Sequence, residues 1–134
     1  MYTMSLAYDD ATKSIYTVTV PNSRVKRMVL SRFDRSDMLL SEEFTPGLGA
    51  GLALRGQDRA VDEYYVTGAA IADGKMYAIS TAYSTLLTID LHARTIVAAH
   101  AVAGLDGPTG LALRGDELYV VNARGAVAVV DRPR

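Results

Sequence analysis

The chain has 134 residues, with 14 Lys and Arg against 15 Asp and Glu, two His and no Cys. The near-neutral balance argues against a broad basic field for nucleic acid, and the empty cysteine count excludes disulfides, thiolate metal sites and cysteine nucleophiles. Hydrophobic residues make up 49%, enough for a packed core, yet no run approaches the roughly 20 apolar residues of a membrane helix.

The first predicted element is a strand over Ser5 to Tyr8, followed by a turn from Asp9 to Lys13. Asp9 and Asp10 are expected to hold that turn by bonding their own backbone; the D-x-D-x-D-G ladder of a calcium loop is missing. A second strand runs from Ser14 to Val20, where β-branched and aromatic residues suit a pleated surface. Asn22-Ser23 is a turn, a third strand covers Val25 to Phe33, and a fourth covers Met38 to Phe44. Around the third strand lies the one basic cluster, Arg24, Lys26, Arg27, Arg32 and Arg35, in NSRVKRMVLSRFDRSD. Lys26 and Arg27 point to opposite faces of a strand, and Asp34, Asp37, Glu42 and Glu43 weaken the field, so charges that protect a solvated edge account for the cluster. Arg24, Lys26 and Arg27, with Tyr83 as an exposed aromatic, form the candidate binding surface.

Next comes GLGAG, from Gly47 to Gly51. It lacks the Gly-Lys-Ser/Thr of a phosphate-cradling loop and reads as a flexible connection. Gln57 to Glu63 is mostly polar, and the stretch from Gly56 to Tyr64 is expected to be a loop or a short helix.

Two later stretches repeat one another. TGAAIADGKMYAISTAYSTLLTIDLHART starts at Thr67 and TGLALRGDELYVVNARGAVAVVDRPR at Thr109. Each opens with Thr-Gly and an apolar run, turns at Asp73-Gly74 or Gly115-Asp116, and continues into a strand centred on Tyr77 or Tyr119. A further turn (Arg124-Gly125 in the second copy) leads to a strand ending at Asp90 or Asp131. The tyrosines are 42 residues apart, the length of one four-stranded propeller blade. Tyr16 lies 61 residues before Tyr77, so the first copy carries about 19 extra residues, placed between Pro46 and Tyr65. The hexapeptide GLALRG occurs at Gly51 and again at Gly110, where it is a first strand. Leu118 to Val121 and Ala126 to Val130 are apolar runs expected to be buried on both faces.

The fold class that follows is all-β, built of β-propeller blades of four antiparallel strands in an incomplete ring. Blades are expected over 3–46, 66–104 and 108–134, with an insertion over 47–65; the last blade lacks its outer strand. The count implies the C-terminal part of a longer propeller. Partners are then the remaining blades or identical chains, because open faces and edges invite association.

LYVVNARGAVAVVD resembles the repeat of YVTN-type β-propellers, in which Tyr-Val-x-Asn leads through a turn into an apolar strand ending in Asp. MYAISTAYSTLLTIDLHARTIVAAHAVAG is similar to the same repeat with its closing strand. The resemblance covers Tyr65 to Asp131 well and the first blade loosely. It implies a structural signature without catalytic residues, and it favours a periplasmic or extracellular location.

Catalytic chemistry finds little support. His92 and His100 are eight residues apart across a predicted hairpin with no matching carboxylate, and read as one exposed turn histidine and one strand histidine. No G-x-S-x-G elbow occurs. Asp90 and Asp131 recur at equivalent positions, which points to bonding of turn amides. The reading is a non-catalytic module that binds a protein or small ligand, with no cofactor, metal or catalytic residue assigned. The alternative is a propeller enzyme, a hydrolase or quinoprotein-like oxidoreductase, whose catalytic residues lie outside this chain.

Overall fold

A computed structural model describes residues 2–20, 28–49, 64–81 and 83–133, with side chains considered from Ser5 onward and not at Val20. Every regular element among them is a strand. In chain order they are β1 (Tyr2–Asp9), β2 (Ser14–Val20), β3 (Val29–Asp34), β4 (Leu40–Phe44), β5 (Gly47–Leu48), β6 (Val66–Ala72), β7 (Lys75–Ser80), β8 (Thr85–Asp90), β9 (Thr95–Ala101), β10 (Pro108–Arg114), β11 (Glu117–Asn122) and β12 (Val127–Asp131). They form three sheets: β1-β2-β3-β4, then β5-β9-β8-β7-β6, then β10-β11-β12.

Turn chemistry explains the strand ends. Asp73 and Gly74 both adopt positive φ, 52° and 73°, the pattern of a two-residue turn whose twist matches its strands. Met38 sits at φ 59° and its amide bonds to the Asp34 carbonyl at 2.8 Å. That turn delays the fourth strand to Leu40, two residues later than expected. The predicted third strand begins in part outside the described residues and is seen as β3; the turn at Asn22-Ser23 and most of 56–64 also lie outside them.

The stretch expected as an insertion begins with a strand. Gly47 and Leu48 pair in parallel with Thr95 and Ile96 of β9, and the Gly49 amide bonds to the Ile96 carbonyl at 2.9 Å. A Cβ on Gly49 would lie 2.9 Å from that oxygen, so the backbone approaches this closely only because glycine is there. The start of the GLGAG segment is thus a fixed edge strand on the second sheet.

β1, β6 and β10 carry the same irregularity. Register slips between Thr3 and Ser5, between Val66 and Gly68, and between Pro108 and Gly110, a bulge that adds twist and re-aims the strand. In the second and third sheets the repeated Thr-Gly dipeptide, Thr67-Gly68 and Thr109-Gly110, marks it. A Cβ on Gly68 would meet Gly110 Cα at 3.1 Å and Leu111 N at 3.0 Å, so glycine lets the leading strands of the second and third sheets come nearly backbone to backbone.

Two apolar clusters separate the sheets. The first joins Ala7, Tyr16, Val18 and Leu30 to Val66, Met76, Ala78, Leu87, Ile89 and Ile96. The second joins Tyr77, Ile79 and Leu86 to Leu118 and Val120, closed by Val102 and Leu105. Period-two alternation sends Met76 and Ala78 one way and Tyr77 and Ile79 the other, so the middle sheet is buried on both faces. The third sheet is covered on one: Leu118 and Val120 are buried, while Val121, Val127 and Val129 are exposed. The expectation of two buried faces for β11 and β12 is corrected here, because the described residues supply a packing sheet on one side alone.

Leu87 is fully buried between two sheets. Leu87→Ala is expected to lower stability by about 2–5 kcal/mol in urea denaturation, through lost burial and the cavity left behind. Tyr16 is 3% exposed, and burial holds its phenol above the ordinary tyrosine value of about 10. A raised folded-state pKa supplies stability that is complete below the unfolded value and is lost as pH rises through the folded one. The Tyr16→Phe variant is therefore expected to lose less stability than the parent between about pH 9 and pH 11, read from urea midpoints.

Candidate functional site

The three sheets present one arrangement three times. Ala7 pairs with Tyr16, Ala70 with Tyr77, and Ala112 with Tyr119. The small partner leaves room for the ring across the strand pair. Val18, Ile79 and Val121 follow two residues after each tyrosine on the same face. Tyr16 packs toward the second sheet and Tyr77 toward the third, each almost wholly buried. Tyr119 is half-buried with no sheet over it among the described residues.

The opposite face repeats as well. Ala69, Ile71, Met76 and Ala78 of the second sheet meet the first; Leu111, Leu113, Leu118 and Val120 of the third meet the second. Equivalent positions in the first sheet are Leu6, Tyr8, Ile15 and Thr17. There Leu6 is 64% and Tyr8 40% exposed. Leu6, Tyr8 and Ile15 floor a depression of about 440 Å³ whose rim is Asp10 and Arg35. The Arg35 guanidinium lies 6.0 Å from the Tyr8 ring centre and donates to its hydroxyl at 3.4 Å. At the other end Val121, Val127 and Val129 are 36%, 57% and 53% exposed. Each sheet is therefore a two-sided unit with a tyrosine face and a receiving face, and among the described residues the stack ends with one of each uncovered.

A third feature lies beside β12, which has no further strand along its outer edge among the described residues. The facing part of the second sheet holds a cavity of about 280 Å³ lined by Lys75, Thr88, Asp90, Val97, Ala98 and Pro133. The Thr88 hydroxyl is buried there without a partner among the described residues.

Polar groups between the uncovered ends are engaged in holding turns and sheets. Thr67 and Thr81 hydroxyls lie 2.6 Å apart, and Thr81 Oγ1 donates to the Pro108 carbonyl at 2.6 Å, tying the second sheet to the third. The Tyr77 hydroxyl donates to the Pro133 carbonyl at 3.1 Å. Arg132, with a side chain 12% exposed, pairs with Asp73 at 3.0 Å and Asp116 at 3.3 Å, joining the hairpin turns of both sheets. Asp9 accepts from the Ala11 amide and the Thr12 hydroxyl; Asp90 accepts from the His92 and Ala93 amides. Both carboxylates do the turn-holding work expected of them. Asp10 pairs with the Lys13 ammonium instead, which lowers its pKa, and Asp34 is held low by the hydroxyl and amide of Ser36.

Arg24, Lys26 and Arg27 lie outside the described residues. Tyr83, expected as an exposed aromatic, is half-buried: its ring centre is 4.7 Å from that of buried Tyr64 at an interplanar angle of 52°, and it packs on the first cluster. Arg32 and Arg35 diverge. Arg32 Nε donates to Ser14 Oγ at 2.9 Å, while Arg35 turns to Tyr8. Glu42 pairs with Arg94 at 2.6 Å and bridges the first sheet to the second. His92 occupies the exposed β8–β9 turn, and His100 pairs in register with Leu86 toward the far end of β9. Five residues of strand separate His100 from the start of β9 at Thr95, so the two histidines lie toward opposite ends of that strand. Among the described residues no cluster of three His, Asp or Glu side chains has the arrangement of a metal site.

No protein-family model matches the chain, and no curated protein matches it. Solved structures do. Sqt1 of Saccharomyces cerevisiae aligns over 98% of this chain and 32% of its own, with 10% identity and a TM-score of 0.58. The β-propeller domain of Cps50 (Swd1) from Myceliophteria thermophila aligns over 99% and 36%, with 9% identity and a TM-score of 0.59. BamB from Moraxella catarrhalis aligns over 96% and 34%, with 17% identity and a TM-score of 0.53. The chain folds as blades of a β-propeller whose ring is not closed. It spans about a third of the length of these structures, and at such identities the likeness is one of fold.

Asn122, the asparagine of the Tyr-Val-x-Asn pattern, ties a blade's inner turn together. Its Oδ1 accepts from the Arg124 and Ala126 amides, and its Nδ2 donates to the Asp106 carbonyl at 3.0 Å. Replacing it by Ala is expected to cost about 1–2 kcal/mol in thermal or urea unfolding, whereas Asp, which keeps the acceptor and loses the donor, recovers part of that loss.

Proposed function

We propose that this chain is a non-catalytic β-propeller module which takes its place in a larger ring and binds a protein or small ligand. The observation that carries the reading is the pair of uncovered faces: each repeats, position for position, a face that is buried elsewhere in the same chain. An apolar blade face has one established use in this fold, which is to pack on the next blade, and an exposed apolar face marks an interaction surface. The sheets over 3–46, 66–104 and 108–134 are then three consecutive blades, with 47–65 connecting the first two. The cavity lined by Lys75, Thr88 and Asp90 lies beside β12, where the third blade has an open edge.

Partner contact is proposed at the rim that carries the connections between second and third strands. The β2–β3 connection holds Arg24, Lys26 and Arg27; the β7–β8 connection holds Tyr83. Cations together with an aromatic suit an acidic or aromatic partner group.

Ring membership is tested by a tandem chain in which Arg134 of one copy is joined through a flexible linker to Met1 of a second. One uncovered tyrosine face then meets one uncovered receiving face within a single molecule. The tandem is expected to unfold in one transition with a higher midpoint than the single chain, and with slowed amide exchange in β11 and β12 of its first copy. An unchanged midpoint together with unchanged exchange would count against the module reading.

A further inference from the structure

We infer that the two uncovered faces are complementary to each other, so that a second copy of this chain docks head to tail, the tyrosine face of one molecule on the receiving face of the next. This rests on the propeller-module reading and deepens it by naming the occupant and the polarity of the contact.

The chain itself displays the proposed interface twice. At the first junction Ala7, Tyr16 and Val18 press on Met76 and Ala78; at the second, Tyr77 and Ile79 press on Leu118 and Val120. A docked copy would set Ala112, Tyr119 and Val121 against Leu6, Tyr8, Ile15 and Thr17, which occupy the same register positions. The residue types suit this: Val121, Val127 and Val129 are exposed at one end, and Leu6, Tyr8 and Ile15 line a shallow, open depression at the other.

Polarity follows from the geometry. The tyrosine face never packs on another tyrosine face within the chain, so the contact is heterologous and leaves a second pair of faces free to continue or to close.

The experiment uses the 134-residue chain and two variants, Leu6→Arg at the receiving face and Val129→Arg at the tyrosine face. Both positions are more than half exposed, so the folded chain accommodates them; Leu6→Ser and Val129→Ser serve if circular dichroism shows that either Arg form is misfolded. Sedimentation is expected to give a concentration-dependent mass above the 14.4 kDa monomer for the parent and the monomer for each variant alone. An equal mixture of the two variants is expected to recover a species of twice the monomer mass, because one intact face of each kind remains. A monomeric parent overturns the inference, as does a mixture that stays monomeric, or either variant alone keeping the parent's mass. If the parent is monomeric while the tandem chain is stabilised, the module reading stands and docking of a second copy fails. If both are unchanged, both fail.

Discussion

The structure depends on the packing of one sheet face against the next. A single four-stranded sheet of this size has two apolar surfaces and cannot shield both. The middle sheet solves this by lying between neighbours, and Met76, Ala78, Ile79, Leu86 and Leu87 are all fully buried as a result. Burial of such side chains contributes on the order of 1.5–3 kcal/mol each, which makes these two junctions the main source of stability. Tyr16 and Tyr77 concentrate that contact, since each fills the space left by an alanine on the paired strand.

Around those junctions the polar residues have local duties. Thr67, Thr81 and the Pro108 carbonyl fasten the bulged leading strands, Arg132 spans two hairpin turns, and Glu42 with Arg94 spans the first junction nearer the outer edge. Their individual worth is modest because most have an exposed partner, yet each fixes the rotation of one sheet on another, a property that apolar contact alone leaves loose. The strand at Gly47–Leu48 adds a further constraint. By covering the outer edge of the second sheet it removes a template for unwanted strand pairing, which leaves β12 as the open edge of the third sheet among the described residues.

Much of this was legible in the chain. Strand periodicity located β2, β7, β8 and β10 through β12, and the spacing of Tyr16, Tyr77 and Tyr119 announced a repeated sheet. The roles of Asp9 and Asp90 followed from the habit of aspartate in turns. Other features had weaker signals. Thr67-Gly68 and Thr109-Gly110 were visible as a repeat, but only the bulge and the approach of Gly68 to Gly110 explain them. The alanines opposite the tyrosines were visible as residues, yet their pairing depends on register. Gly47–Leu48 read as flexible because two residues carry no periodicity; its strand exists through bonds to β9, some fifty residues later. Tyr83 read as exposed because an aromatic between turn residues has no local reason to be covered, and Tyr64, which covers it, comes from a distant connection.

What the sequence alone determined is the unit: an all-β chain whose alternation of apolar residues defines strands, whose Asp, Asn and Gly define turns, and whose 42-residue spacing defines a blade. These are local properties, set by backbone conformation and by which side chains share a face. Which face of each sheet is covered was decided only by the tertiary structure. β7 and β11 are both tyrosine-centred strands of the repeat, but among the described residues β7 has a neighbouring sheet on each side and β11 on one. That difference lies outside either strand, in whatever stands next to it, and it turns the valines of the last sheet and Leu6 and Tyr8 of the first from core residues into the surfaces on which the proposed function rests.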